Sequence, residues 1–171
     1  MKTLENKTHP FLAELDAEQA GALLRHAKKV EFASGQIIFR EGDPANRLYL
    51  IESGRVAVEW RTPDGAPHVV EEIKGGEVLG WSWLFPPFAW HFQARAIEPT
   101  RVIACDGADI LVTCETNRIL GFEIMKRVAQ VLIHRLQATR KQLVAAETAW
   151  KRATNAALLS SSEKGCLRKE R

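Results

Sequence analysis

Short runs rich in valine, isoleucine and aromatic residues, most of them cut off by a glycine-bearing break, fill the chain from about residue 30 to residue 113. The runs cover 30–32, 37–39, 47–51, 55–61, 68–73, 92–96 and 100–104. Between them stand Ser34-Gly35, Glu41-Gly42-Asp43, Ser53-Gly54, Pro63-Asp64-Gly65 and Gly75-Gly76. Pro-Asp-Gly between two alternating runs is a hairpin signal, because proline presets φ and glycine accepts a positive one. Strands this short and this closely spaced fit an antiparallel sandwich, jelly roll or barrel. They leave no room for helical crossovers, so neither a parallel doubly wound sheet nor a Walker-type phosphate loop is expected.

Helical patterns flank this middle. Phe11, Leu12, Leu15, Ala20, Leu23, Leu24 and Ala27 recur at helical spacing over roughly 10–30, and Asp16 with Gln19 forms a capping-box start. A short helix is expected near Ala108–Cys114. From about residue 117 the pattern turns helical again, with neither glycine nor proline between Phe122 and Lys164. Met125, Ala129, Leu132, Leu136, Thr139, Leu143, Ala146 and Trp150 fall at alternating steps of four and three, the spacing of a coiled-coil seam. A seam reaching past what a small β unit can cover is most economically met by the same helix of a second copy, so a homodimer through the C-terminal helix is expected. The expected fold is mainly β with flanking helices: an antiparallel, jelly-roll-like β-roll with an N-terminal helix and a long C-terminal dimer helix. Its parts are an N-terminal helical segment at 1–29, the roll at 30–113, C-terminal helices at 114–158 and a disordered tail at 159–171.

Order and spacing of the glycine motifs resemble the cyclic nucleotide-binding domain, the sensory half of catabolite-activator-type bacterial regulators. Gly35-Gln-Ile-Ile-Phe-Arg-Glu-Gly42-Asp43 resembles the family's turn-strand-turn signature, and Leu48-Tyr-Leu-Ile-Glu-Ser-Gly54-Arg-Val56 its next hairpin. The stretch from Gly75 and Gly76 through Glu77, Val78 and Leu79 to Gly80 is similar to the opening of the phosphate-binding cassette. The segment from His134 to Thr139 resembles the long dimer helix, and the likeness spans roughly residues 10–145. It implies a ligand-sensing regulatory domain rather than an enzyme, in which cassette N–H groups and an arginine hold the cyclic phosphate and a glutamate accepts from the ribose. Glu77 matches that glutamate by position, and Thr139 matches a position where the dimer helix touches the purine; Arg140 follows it.

The cassette departs from the pattern. Counting back from Arg95-Ala96, the phosphate arginine falls on Trp90 and the next polar position on His91. Loss of a buried guanidinium–phosphate contact costs about 2–5 kcal/mol, so binding of cyclic AMP and cyclic GMP is expected to be weak or absent. Arg95 and His91 are the substitute donors. Trp81, Trp83, Phe85, Phe88, Trp90 and Phe92 concentrate aromatic area in the same stretch, with Ser82 between two indoles. This cluster fits either a lining for a small planar ligand, whether a cyclic nucleotide or another molecule, or filling of the mouth of the roll.

Other classes fare worse. The five histidines show no metal-ligand spacing, so a cupin-like metal site or a haem held by His91 or Cys105 is a minor alternative; the runner-up reading is a degenerate dimerisation or docking module without ligand. Three scattered cysteines make neither a disulfide framework nor an iron–sulfur site, and a cytoplasmic location is the default. No apolar run approaches the roughly 18 residues of a membrane helix. About 27 residues follow Val144, fewer than a helix-turn-helix domain needs, so sequence-specific DNA reading is not expected.

Overall fold

The computed structural model describes residues 9–13, 15–62 and 65–166, with side chains up to residue 155. The chain divides into two compact units, Met1–Val128 and Ala129–Arg171. In the first, eight strands form two antiparallel four-stranded sheets. They are β1 (Lys28–Phe32), β2 (Ile37–Phe39), β3 (Arg47–Ser53), β4 (Arg55–Arg61), β5 (Pro67–Lys74), β6 (Val78–Leu79), β7 (Gln93–Ala96) and β8 (Thr100–Asp106). One sheet runs in the order β1-β8-β3-β6 and the other β2-β7-β4-β5. The expected antiparallel β-roll with flanking helices is therefore the observed fold.

Register follows burial. The pairs Leu50↔Ile103 and Ile51↔Val102 join β3 to β8, and Val56↔Ile73 and Val56↔Ala96 join β4 to both its neighbours. Leu48, Leu50, Ile51, Val56, Ile73 and Val102 are wholly enclosed. Each such side chain contributes about 1.5–3 kcal/mol relative to leaving it in water. Because β3 and β4 are buried on both faces along their middles, a one-residue slip would break these pairings of buried residues. Gly54, at φ 99°, makes the tight β3–β4 turn; a Cβ there would lie 2.5 Å from Thr100 Oγ1. Pro63 and Asp64 of the expected hairpin turn lie outside the described residues.

The N-terminal helix differs from expectation. The stretch from 10 to 30 holds a 3₁₀ turn (Pro10–Leu12) and one helix, α1 (Ala17–Leu24), before β1 begins at Lys28. The capping box is present: Asp16 Oδ1 accepts from Gln19 N–H at 2.8 Å, and Gln19 Oε1 accepts from Asp16 N–H at 3.2 Å. Helical periodicity as far as Ala27 overran because Lys28, Lys29 and Val30 pair with Ala104, Ile103 and Val102 of β8, and sheet pairing outweighs local spacing.

Helix α2 (Gly107–Thr116) starts on an Asp106 cap, and α3 (Arg118–Cys166) follows. Leu120, Ile124 and Val128, four residues apart, are buried within the first unit. The second unit is the remainder of α3, on which every residue from Leu136 to Asn155 is exposed. Residues 167–171, the end of the expected tail, lie outside the described residues. Among the described residues no helix is long and apolar enough to cross a membrane, and no group of three or more His, Cys, Asp or Glu could hold a metal ion.

Candidate functional site

The cassette runs from the β5–β6 turn to β7. Gly76, at φ 88°, turns the chain, and Glu77 closes that turn on itself: its exposed carboxylate accepts from Lys74 N–H at 2.6 Å. The expected ribose acceptor thus has a backbone partner in this structure. Val78 and Leu79 are buried as β6, pairing with Leu50 and Tyr49. This two-residue strand escaped sequence reading because a pair of apolar residues carries no period.

The same turn is braced by the N-terminus. His9 is almost wholly enclosed. Its Nδ1 accepts from Phe11 N–H at 3.2 Å, which assigns the ring hydrogen to Nε2, 3.3 Å from the Glu77 carbonyl oxygen. Burial holds the His9 pKa below its ordinary 6.5, opposed by its backbone partners at Glu77 and Ile51. From the far side, Arg127 of α3 donates to the Phe11 carbonyl at 3.1 Å.

After Gly80 comes a 3₁₀ turn, Ser82–Leu84, that ends before the Pro86-Pro87 pair. Trp83 is buried and its indole N–H donates to the Gly80 carbonyl at 3.1 Å, whereas Trp81 and Ser82 are half-buried. A single 3₁₀ turn offers fewer aligned N–H groups than the longer helix that captures a phosphate. Two of the donors that follow are already used. Phe88 N–H bonds the Phe85 carbonyl (2.9 Å) and Trp90 N–H the Asp43 carbonyl (2.9 Å). In return, Gly42 N–H donates to Trp90 O (2.8 Å) and Ala45 N–H to Phe88 O (2.7 Å). The cassette is stitched to the β2–β3 loop.

Trp90 turns inward and is 5% exposed. Its ring stacks on Phe39 of β2 with centroids 3.9 Å apart and planes 13° from parallel; Phe39 in turn stacks on Tyr49 of β3 at 6.1 Å. Because β2 and β3 belong to different sheets, this column bridges them across the roll. Burial raises the Tyr49 pKa. Gly80, at φ 85°, makes space for the indole: a Cβ there would lie 2.9 Å from Trp90 Cη2 and from the Arg47 carbonyl. Neither Phe39 nor Tyr49 was singled out from sequence, since each reads as an ordinary strand aromatic.

Arg95 is the arginine of the cassette's closing strand, and it is engaged. Its guanidinium donates to Oε1 of Glu59, with Nε at 3.0 Å and Nη2 also bonded. Glu59 is 2% exposed and Arg95 35%; Gln93 Nε2 donates to the other carboxylate oxygen at 3.0 Å. The register Glu59↔Gln93 and Ala57↔Arg95 puts all three polar groups on one face of the β4–β7 pair. Alternation within 93–95 could have revealed two of them; nothing in the sequence marked Glu59 as buried.

The remaining expected site residues lie elsewhere. His91 and Phe92 are exposed, as are Phe85 and Phe88. Thr139 and Arg140 are exposed on the second unit. Cys105 is buried, its thiol pushed up to about 12 by burial.

The family model of the cyclic nucleotide-binding domain matches residues 29–117. The chain belongs to the cyclic nucleotide-binding domain family. A curated relative, the CRP-like cAMP-activated global transcriptional regulator of Mycobacterium tuberculosis, is 31% identical over 122 residues, covering 71% of this chain and 53% of the relative. The chain thus spans about half the length of that regulator. Among solved structures, a Geobacter metallireducens GS-15 protein named for cyclic nucleotide binding superposes with a TM-score of 0.70 at 28% identity, covering 78% of this chain and 99% of its own. The Thermus thermophilus catabolite activator protein gives 0.65 at 25% identity, covering 78% and 61%. In this member of the cyclic nucleotide-binding domain family the segment from Gly76 to Arg95 contributes one indole, Trp90, to an aromatic column completed by Phe39 and Tyr49.

Proposed function

We propose that this chain is a non-enzymatic, cytoplasmic sensing domain of a regulator, tuned to a small planar ligand other than cyclic AMP or cyclic GMP. One observation carries the reading. Three of the cassette's donors are committed to the protein itself: the Phe88 and Trp90 N–H groups to backbone carbonyls, the Arg95 guanidinium to Glu59. A phosphate entering here would have to displace a buried carboxylate from its arginine. What the cassette offers instead is aromatic area, with Phe85, Phe88 and Phe92, close to Trp90 in sequence, each 41–51% exposed. Stacking on such rings selects planar molecules and needs no anion. The output is a pair of chains joined through α3 along Met125, Ala129, Leu132, Leu136, Thr139 and Leu143; of these, Leu136 and Leu143 are 51% and 68% exposed on the single chain.

Calorimetry and thermal-shift measurements test this. Millimolar cyclic AMP or cyclic GMP is expected to leave the melting temperature unchanged, while a member of a panel of nucleobases and aromatic metabolites raises it. Low-micromolar affinity for cyclic AMP would remove the proposal. A second reading is favoured by the filling of the roll by Trp90, Phe39 and Tyr49: a docking module without ligand. A panel that shifts nothing selects that reading.

A further inference from the structure

The sign of charge is divided between the two units. Residues 1–128 carry 15 lysines and arginines against 18 aspartates and glutamates, a net −3; residues 129–171 carry nine against three, a net +6. Within 129–155, where side chains are described, Glu147 is the sole acidic residue among five basic ones. Two of its neighbours in sequence are basic doublets, Arg140-Lys141 and Lys151-Arg152, eleven residues apart. Eleven residues make close to three helical turns, so the doublets repeat on one side of α3 at an axial distance of about 16 Å. All four side chains are exposed. Lys151 bonds Glu147 at 2.7 Å in an exposed pair, which salt screens readily; among the described residues Arg140, Lys141 and Arg152 have no acidic partner.

We infer that this part of α3 binds the phosphate backbone of duplex nucleic acid without reading its sequence. Helical spacing sets Lys141 and Arg152 on the face opposite the Leu136–Leu143–Trp150 line and places Arg140 and Lys151 beside that line. The cations therefore stay accessible whether or not the apolar line is covered. Their separation suits phosphates on the two sides of a major groove about 12 Å wide. An anionic lipid surface fits less well. A helix lying in a membrane needs a broad unbroken apolar face, whereas Arg140 and Lys151 fall in the row of Ile133 and Val144 and interrupt it.

Binding is tested with the full chain by fluorescence anisotropy on two unrelated 24-base-pair DNA duplexes, from 50 to 200 mM NaCl. Both duplexes are expected to bind with equal affinity. Engagement of about four phosphates gives a salt slope near −3.6, an affinity loss of about two orders of magnitude across that range. The variant R140Q/K141Q/K151Q/R152Q is expected to lose at least tenfold at 50 mM NaCl and most of the slope. Its helix content by circular dichroism and its mass by light scattering are to match the parent. No duplex binding at 50 mM NaCl overturns the inference, as does duplex binding that the four substitutions leave intact. Cosedimentation with phosphatidylserine vesicles in the absence of duplex binding overturns it equally.

Discussion

Replacing Arg95 by methionine strands the Glu59 carboxylate, which is 2% exposed, with Gln93 as its remaining side-chain donor. Removing one partner of a buried ion pair costs about 3–5 kcal/mol. Because Arg95 itself is 35% exposed and water screens part of the pair, the lower end, about 3 kcal/mol, is expected. The complementary change, Glu59→Gln, keeps an acceptor for the guanidinium, which can also turn to solvent; it loses only the charge-assisted part, about 1 kcal/mol. The double variant R95M/E59Q buries no charge and is expected to recover about 2 kcal/mol relative to R95M alone. Urea unfolding of the four proteins closes the cycle; in melting temperature, R95M falls by roughly 6–12 °C. Equal destabilisation by R95M and E59Q, or a double variant no better than R95M, would refute the argument that Arg95 is committed to neutralising Glu59.

Trp90→Ala removes the end of the aromatic column and is expected to cost about 3–5 kcal/mol; the apolar space it leaves should admit millimolar indole, seen as a thermal shift absent in the parent. Gly80→Ala combines a left-handed backbone with a Cβ 2.9 Å from Trp90, so a loss of about 2–4 kcal/mol is expected, with altered indole fluorescence. His9 has a pKa lowered by burial, so the folded state holds its proton less well than the unfolded state. Its stabilisation is full above the ordinary value and is lost as pH falls from there through the lower folded-state value; the urea midpoint should drop between pH 7.5 and 5.5, and less so in His9→Gln. Cys105, with a thiol near 12, is expected to resist a disulfide reagent at pH 8 until the protein unfolds.

Much of the roll was legible because the chain punctuates itself. β2 and β4 lie where alternation and glycine breaks placed them, and the Asp16 cap declared its helix. Misreadings arose where a tertiary partner outranked local pattern: Lys28 and Lys29 look helical until β8 is beside them. The site was half legible. Its aromatic density and the indole at position 90 are visible in the letters. The partners that give them meaning are not, since Phe39, Tyr49 and Glu59 sit 31 to 51 residues upstream of Trp90, and only the folded roll stacks Phe39 between Trp90 and Tyr49 and sets Glu59 against Arg95. Glu77 shows the converse, for a carboxylate in a familiar position is satisfied by a neighbouring N–H.

The stitching of Phe88 and Trp90 to Gly42, Asp43 and Ala45 has a kinetic corollary. A guest bound for the interior must wait until those backbone bonds part, so the open form acts as a scarce reactant. Apparent affinity is diluted by its scarcity, and the observed on-rate should level off as guest concentration climbs, the plateau reporting how often this seam unzips.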